Sequence, residues 1–403
     1  MEKLATNRKG IGGGVLGSLE CRILFIVNGL HSGGAEKQLL WMASVLIPAG
    51  VPCAIFELQS NPGNARLNLL IERAAAQGVE LFRAGRGAGY IRAWRKLRMF
   101  VHAHPSAILW TWGFRSDFFV LSVLGKNIHQ RWICSLRNAN RVGLRRARYL
   151  IRLCGPKVTM YASNTQANCE MLREVYPQSV GRTMVIYNYA SEIDHPPANL
   201  PRNIVLPLRV VMLGNIDIHR KGYDLVVQLG ALIKRAGWPI EIHIAGRLDS
   251  GKAFDLLIER HRVKKQIIYH GETGSPDQFL LSGHCFLLAS RFEGTPNALL
   301  EAMAFGLPAI ATKVGDLARL AKDRCELRLV NIEDVSAIGD CLMEMVNDWP
   351  AALAMGVRGR EWCRELFSLD VSRQQLFNVV RTAATWMRPK NLGELGTNGG
   401  ACT

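Results

Sequence analysis

The side chains best suited to chemistry sit in three glycine-containing segments. Each segment follows a short apolar run and precedes a helical pattern. The richest runs from Ser290 to Pro308 and holds Glu293, Gly294, Thr295, Pro296, Asn297 and Glu301. Thr295 reads as a helix N-cap and Pro296 as the first helical residue, positions these residue types favour. The free N–H groups of the next turn then form an anion site able to hold a diphosphate. Glu301 lies about one turn further on, where its carboxylate can accept hydrogen bonds from two adjacent ribose hydroxyls. Glu293, on the preceding loop, reaches the opposite end of the same ligand, where a sugar would lie. The competing reading is two surface glutamates flanking a capped helix.

The second segment, residues 28–36, places Gly33 and Gly34 ahead of a helical pattern. A glycine-rich turn opening a helix lets backbone N–H groups approach an anion. The spacing is not GxGxxG, so a tight strand-to-helix turn that binds nothing competes with this reading. The third segment, residues 214–224, sets Asn215, Arg220 and Lys221 beside another helix start. The Lys221 ammonium could reach phosphates there, and the alternative is ordinary solvated charge.

These segments need a scaffold that brings them together. Strand-like runs at 23–27, 53–58, 107–110, 132–135, 158–161 and 184–187 alternate with helical patterns. A second set follows at 208–213, 240–245, 266–269, 285–289 and 307–311. This alternation predicts an α/β protein with parallel sheets. Residues 188–207 carry four prolines and no periodicity, which marks a linker. The expected organisation is a disordered leader at 1–20, a Rossmann-like domain at 21–190 and a linker at 191–207. A second Rossmann-like domain at 208–368, a helix at 369–389 and a flexible tail at 390–403 complete it. Two doubly wound domains facing each other bind ligands at the carboxyl ends of their strands. All three segments fall there.

A chain of 403 residues suits two such domains, and 48% hydrophobic with 21% charged residues excludes a disordered or fibrous protein. The ten cysteines never form CxxC and match no zinc spacing, so free thiols in a reducing cytoplasm are expected. No Asp-x-Asp occurs, so the usual carboxylate pair for a metal-bound diphosphate is missing and no metal is expected. No run reaches the roughly 18 apolar residues that span a bilayer.

The run from Glu293 through Glu301 to Pro308 resembles the signature of glycosyltransferase family 4, the retaining enzymes of GT-B architecture. Lys221-Gly222 is similar to that family's phosphate-binding lysine, and Gly33-Gly34-Ala35-Glu36 to its N-terminal glycine loop as found in bacterial surface-polysaccharide enzymes. The resemblance covers roughly residues 22–385. It implies sugar transfer from a nucleoside diphosphate sugar, with retention, to a lipid-linked or oligosaccharide acceptor. Lys221 would hold the diphosphate, Glu301 the ribose and Glu293 the donor sugar, while Gly33 and Gly34 make room for phosphates. Glu293 and Lys221 are therefore the expected catalytic pair. Gly294, Thr295, Pro296, Asn297, Asn215 and Arg220 complete the donor site, without a metal or other cofactor. The terminal helix would cross back onto the first domain. Three positions depart from the family. Asn215 stands where many relatives have arginine, Trp112 and Arg115 replace a common histidine, and Arg319 stands for a glutamate. A GT-B epimerase or phosphorylase, and a non-catalytic partner subunit, are the alternatives.

The net charge of +17 is unevenly placed, and residues 81–169 hold 16 Lys/Arg against one acid, Asp117. Arg141, Arg145, Arg148 and Arg152 recur at helical spacing, with Leu144 and Ile151 offset from them. A basic amphipathic helix of this kind can lie on an anionic membrane, with the two apolar residues inserted. That places the protein in the cytoplasm, peripheral at the inner face of the plasma membrane. The alternative is a helix packed on its own domain. Nucleic acid is not an expected partner, because no nucleic-acid motif accompanies the charge.

Overall fold

The computed structural model describes residues 21–30, 34–59, 65–84, 89–124, 131–137, 141–248 and 252–386. The expected leader, the tail and Gly33 lie outside them. The first half forms β1 (Ile23–Val27), β2 (Cys53–Glu57), β3 (Glu80–Arg83), β4 (Ile108–Trp112), β5 (Trp132–Leu136), β6 (Met160–Ser163) and β7 (Thr183–Val185). The second forms β8 (Leu208–Leu213), β9 (Ile240–Ala245), β10 (Ile267–Tyr269), β11 (Cys285–Leu288), β12 (Ala309–Thr312) and β13 (Arg328–Val330). The sheet orders are β3-β2-β1-β4-β5-β6-β7 and β10-β9-β8-β11-β12-β13, and every pair is parallel.

Each predicted strand run contains a strand. The edge strands β3 and β13 were not foreseen. Both are short and half-solvated, with charged residues where an apolar run would signal a strand.

Central strands are buried on both faces because helices cover both sides. The period-two alternation of a strand divides β1 between two cores. Ile23, Phe25 and Val27 join one cluster, while Leu24 and Ile26 join the other. In β8, Leu208, Val210 and Met212 face one cluster and Val211 its opposite. The last helix, Leu369–Thr385, buries Leu376, Val379, Val380, Ala383 and Ala384 in the core of the first sheet, so it ties the chain's end to its beginning.

The strand orders also place the chemistry. Each sheet reverses direction of winding beside its first strand, between β1 and β4 and between β8 and β11. A crevice opens at such a reversal, outside the carboxyl ends of the strands. Gly34 follows β1 and Trp112 ends β4, while Lys221 and Glu293 follow β8 and β11.

Among the described residues no helix is long and apolar enough to cross a membrane. The basic stretch forms two short helices, Arg141–Arg146 and Arg148–Cys154, rather than one. Leu144 and Ile151 are buried in the first domain's core and cannot enter a bilayer. Arg145, Arg148 and Arg152 are exposed, and the side chain of Arg141 lies outside the described set. The exposed apolar neighbours are instead Tyr149 and Leu153.

Candidate active site

Lys221 is set by the turn before helix Tyr223–Ala236. Gly222 adopts φ 72°, and a Cβ there would collide with the carbonyl oxygen of Ala289. Only glycine lets this turn press against the loop after β11. Arg291 clamps the two loops from below. Its guanidinium binds Asp224 through two bonds of 2.7 and 2.9 Å, Glu333 at 2.8 Å and the His219 carbonyl at 2.7 Å. The bonds to Asp224 hold its pKa above the usual guanidinium range. Sequence reading passed over Arg291, because its role is visible only through partners distant in the chain.

The clamp brings Lys221 onto Glu293, whose Oε1 accepts from the ammonium and also from Ser290 Oγ at 3.0 Å. Glu293 is almost fully buried, with 6% of its side chain exposed. The two expected catalytic residues are therefore an ion pair. Arg220 is also partnered, with Nε 3.0 Å from Asp217 Oδ2. Asn215 is half-buried after Gly214, and its side-chain amide makes no hydrogen bond among the described residues.

Helix Asn297–Ala304 opens one residue later than expected. Pro296 takes the N-cap position, and no side chain caps the helix. Thr295 is not the cap, because its hydroxyl donates across to the Asn164 carbonyl at 2.5 Å. The N–H groups of Asn297 and Ala298 consequently have no acceptor among the described residues, which leaves an anion-ready helix start.

The first domain meets this helix start closely. A Cβ on Gly34 would strike Asn297 Nδ2, and one on Gly294 would strike the Asn164 amide. Asn188 joins the two sides through Nδ2, which donates to Asn297 Oδ1 at 2.7 Å and to the Thr295 carbonyl at 3.1 Å. One turn into the helix, Glu301 Oε1 accepts from Lys37 Nζ at 3.0 Å across the cleft. Lys37, Asn164 and Asn188 were not anticipated. Lys37 stands in the first turn after the glycine loop, so a rule seeking cations at that place would have found it.

Of the residues expected on the acceptor or membrane side, Trp112 ends β4 and stacks under Arg137, 4.0 Å from guanidinium carbon to ring centroid. Arg115 is exposed and lies 3.3 Å from Asn28 Oδ1, beside the end of β1. Arg319 forms a two-bond pair with Glu170 of the first domain, at 2.9 Å for each bond. Among the described residues, no three His, Cys, Asp or Glu side chains gather as a metal site.

Comparison with known proteins agrees with the fold. Residues 207–348 match the family model for glycosyl transferases group 1. The Anabaena Alr3699/HepE structure with UDP-glucose superposes with a TM-score of 0.74 at 14% identity, covering 90% of this chain and 99% of that one. The TarM structure gives 0.72 at 12% identity, covering 89% and 98%. The fold is thus the GT-B arrangement of two Rossmann-like domains. Among curated proteins, the poly(ribitol-phosphate) alpha-N-acetylglucosaminyltransferase of Staphylococcus aureus is 22% identical over 42% of this chain and 35% of its own length. A Campylobacter jejuni N-acetylgalactosaminyltransferase acting on a diphospho-undecaprenol-linked sugar is 23% identical over 50% of this chain and 54% of its own. The chain spans about half or less of the length of these relatives.

Proposed function

We propose that this protein is a retaining glycosyltransferase. It takes a sugar from a nucleoside diphosphate donor and places it on a lipid-linked glycan acceptor, in the building of a bacterial surface polysaccharide. The observation that carries this reading is the meeting of Lys221, Glu293, Glu301 and the uncapped start of helix Asn297–Ala304 at one cleft. The group 1 family match falls on the same segment.

In this reading the donor diphosphate lies against the N–H groups of Asn297 and Ala298. Lys221 turns from Glu293 to the phosphates, and Glu301 turns from Lys37 to the ribose hydroxyls. As the glycosidic bond to the diphosphate breaks, negative charge grows on the leaving oxygen. Fixed donors aimed at that charge lower the barrier by a few kcal/mol each. Gly34 stands on the facing wall, where the lack of a Cβ lets it approach Asn297 closely. Glu293, released from Lys221, faces the donor sugar. No metal is needed, because the lysine and the helix start supply the positive field.

The exposed Arg145, Arg148 and Arg152, with Tyr149 and Leu153 between them, support a peripheral position on an anionic bilayer. The stretch's one acid, Asp117, is buried and does not offset that surface charge.

The test is calorimetry with UDP, GDP and ADP, followed by NMR of the product anomer. Glu301→Ala should cost about 2–4 kcal/mol, since bonds to charged groups are worth about 1.5–3 kcal/mol each and do not add fully. Lys221→Ala should weaken nucleoside diphosphate more than nucleoside. Wild-type affinity in both variants, or an inverted anomer, would refute the reading.

A further inference from the structure

Arg137 directly follows β5, at the cleft edge of the first sheet. Its guanidinium lies over the Trp112 ring at 4.0 Å and donates through Nη1 to Asn188 Oδ1 at 3.2 Å. The orientation of Asn188 is forced. The Thr295 carbonyl can only accept, so Nδ2 must face it and Oδ1 must face the arginine. Arg137 is thereby held two hydrogen bonds away from Asn297, the first residue of the uncapped helix.

A guanidinium carries five N–H donors, and among the described residues Arg137 uses one. Among the described residues no carboxylate lies within ion-pair distance. Burial pulls its pKa down to about 9, with the Glu36 charge opposing. The group still carries its charge at neutral pH. The Trp112 indole N–H beside it is also buried with no acceptor among the described residues. The other cations lining the cleft differ, since Lys221 and Lys37 have Glu293 and Glu301. A half-buried cation with open donors and no carboxylate at ion-pair distance among the described residues gains when an anion arrives to complete it.

We propose that Arg137, oriented by Trp112 and Asn188, is an anion-recognition residue of the first domain that binds a phosphate lying between it and the start of helix Asn297–Ala304. This rests on the glycosyltransferase reading. A planar fork suits phosphate oxygens better than a point charge does, so arginine is the fitting residue here. Two phosphates could occupy the place: the donor diphosphate, or the diphosphate of a lipid-linked acceptor.

The test compares wild type, Arg137→Met and Arg137→Lys in calorimetry. The probes are UDP, GDP and ADP with their nucleosides, and farnesyl diphosphate with farnesol. The methionine variant should lose about tenfold or more in affinity for a diphosphate probe and nothing for its phosphate-free partner. The lysine variant should keep part of that affinity. Loss confined to nucleoside diphosphate assigns the donor, and loss confined to farnesyl diphosphate assigns the acceptor. Thermal melting supplies the control. Removing an uncompensated charge should leave the melting temperature level or raise it, whereas a purely structural arginine would lower it. The proposal is overturned if Arg137→Met binds every diphosphate as wild type does while Lys221→Ala weakens nucleoside diphosphate. In that case the donor site stands without Arg137. Wild type binding no diphosphate probe would remove both the proposal and the reading beneath it.

Discussion

Asp316 is the residue whose loss should most change the relation between the two domains. It belongs to the second domain, yet it caps a helix of the first. Its Oδ2 accepts from the Gln166 N–H at 2.5 Å and its Oδ1 from the Ala167 N–H at 2.9 Å, at the start of helix Gln166–Val175. The Tyr187 hydroxyl donates to Oδ2 at 3.2 Å. The next N–H, of Asn168, is satisfied within the first domain by Thr165 Oγ1. Two of the four orphan donors of that helix thus depend on the other domain. Hydrogen bonds to a carboxylate are worth about 1.5–3 kcal/mol each, and three that share one group add only in part. Asp316→Ala should therefore cost the docked arrangement about 3–5 kcal/mol. At about 1.4 kcal/mol per decade, its equilibrium constant falls a hundredfold or more. Small-angle scattering should show a larger radius of gyration for the ligand-free variant. Hydrogen exchange should quicken at Gln166 and Ala167 but not at Asn168. Any ligand that needs both walls should bind more weakly, in proportion to the docked fraction. Superimposable scattering curves together with unchanged exchange would refute the argument.

Three other outcomes are expected. Glu293→Gln removes the carboxylate that competes for Lys221, so nucleoside diphosphate should bind more tightly while turnover falls; calorimetry showing weaker binding would count against the exchange of partners. Burial raises the Asp117 pKa from 3.8 to about 6, against a hydrogen bond from Thr111, so the folded state holds a proton that the unfolded chain has lost. Stability should accordingly fall as pH rises from about 4 to about 6, by roughly 3 kcal/mol at 1.36 kcal/mol per unit. Asp117→Asn should flatten that slope and melt higher at pH 7; an unchanged slope in melts across this window would dismiss the cause. Changing Arg145, Arg148 and Arg152 together to Gln should abolish salt-sensitive co-sedimentation with anionic vesicles, since surface charges act within about 8–10 Å. Tyr149→Ser with Leu153→Ser should remove a salt-resistant part, and a wild-type profile in both would free this face of the role.

The parts of the fold that could be read in advance were those written in local pattern. Fully buried parallel strands announce themselves as apolar runs, and their glycine-rich exits fall at the crevice by topology alone. The half-solvated strands β3 and β13 carry no such run and were missed. The arginine spacing at 141–152 did mark helices, but the apolar side was assigned to the wrong medium. Leu144 and Ile151 are needed to cover the first sheet, and burial there outcompetes any bilayer. The Thr295 cap failed for a related reason. A local rule offered the hydroxyl to its own helix, while the Asn164 carbonyl, 131 residues away, takes it. Arg137, Asn188 and Asp316 gain their meaning only from partners across the chain, which no spacing rule encodes.

The pairing pattern in the cleft has a physical logic of its own. Three cations stand around the uncapped start of helix Asn297–Ala304. Two are held by glutamates, Lys221 within the second domain and Lys37 across from the first. A half-buried lysine without a partner would swing to solvent. Each glutamate therefore holds a lysine near the place where phosphate would arrive. Binding is then an exchange of one anion for another, with little fresh desolvation. The exchange also frees both carboxylates, and each is placed to accept hydroxyl hydrogen bonds once its lysine turns away. Arg137 cannot be held in this manner, because its neighbours are an indole and an amide. Glu36 acts on it only as an unbonded charge among the described residues, so its open donors are the point where the ligand-free cleft has most to gain.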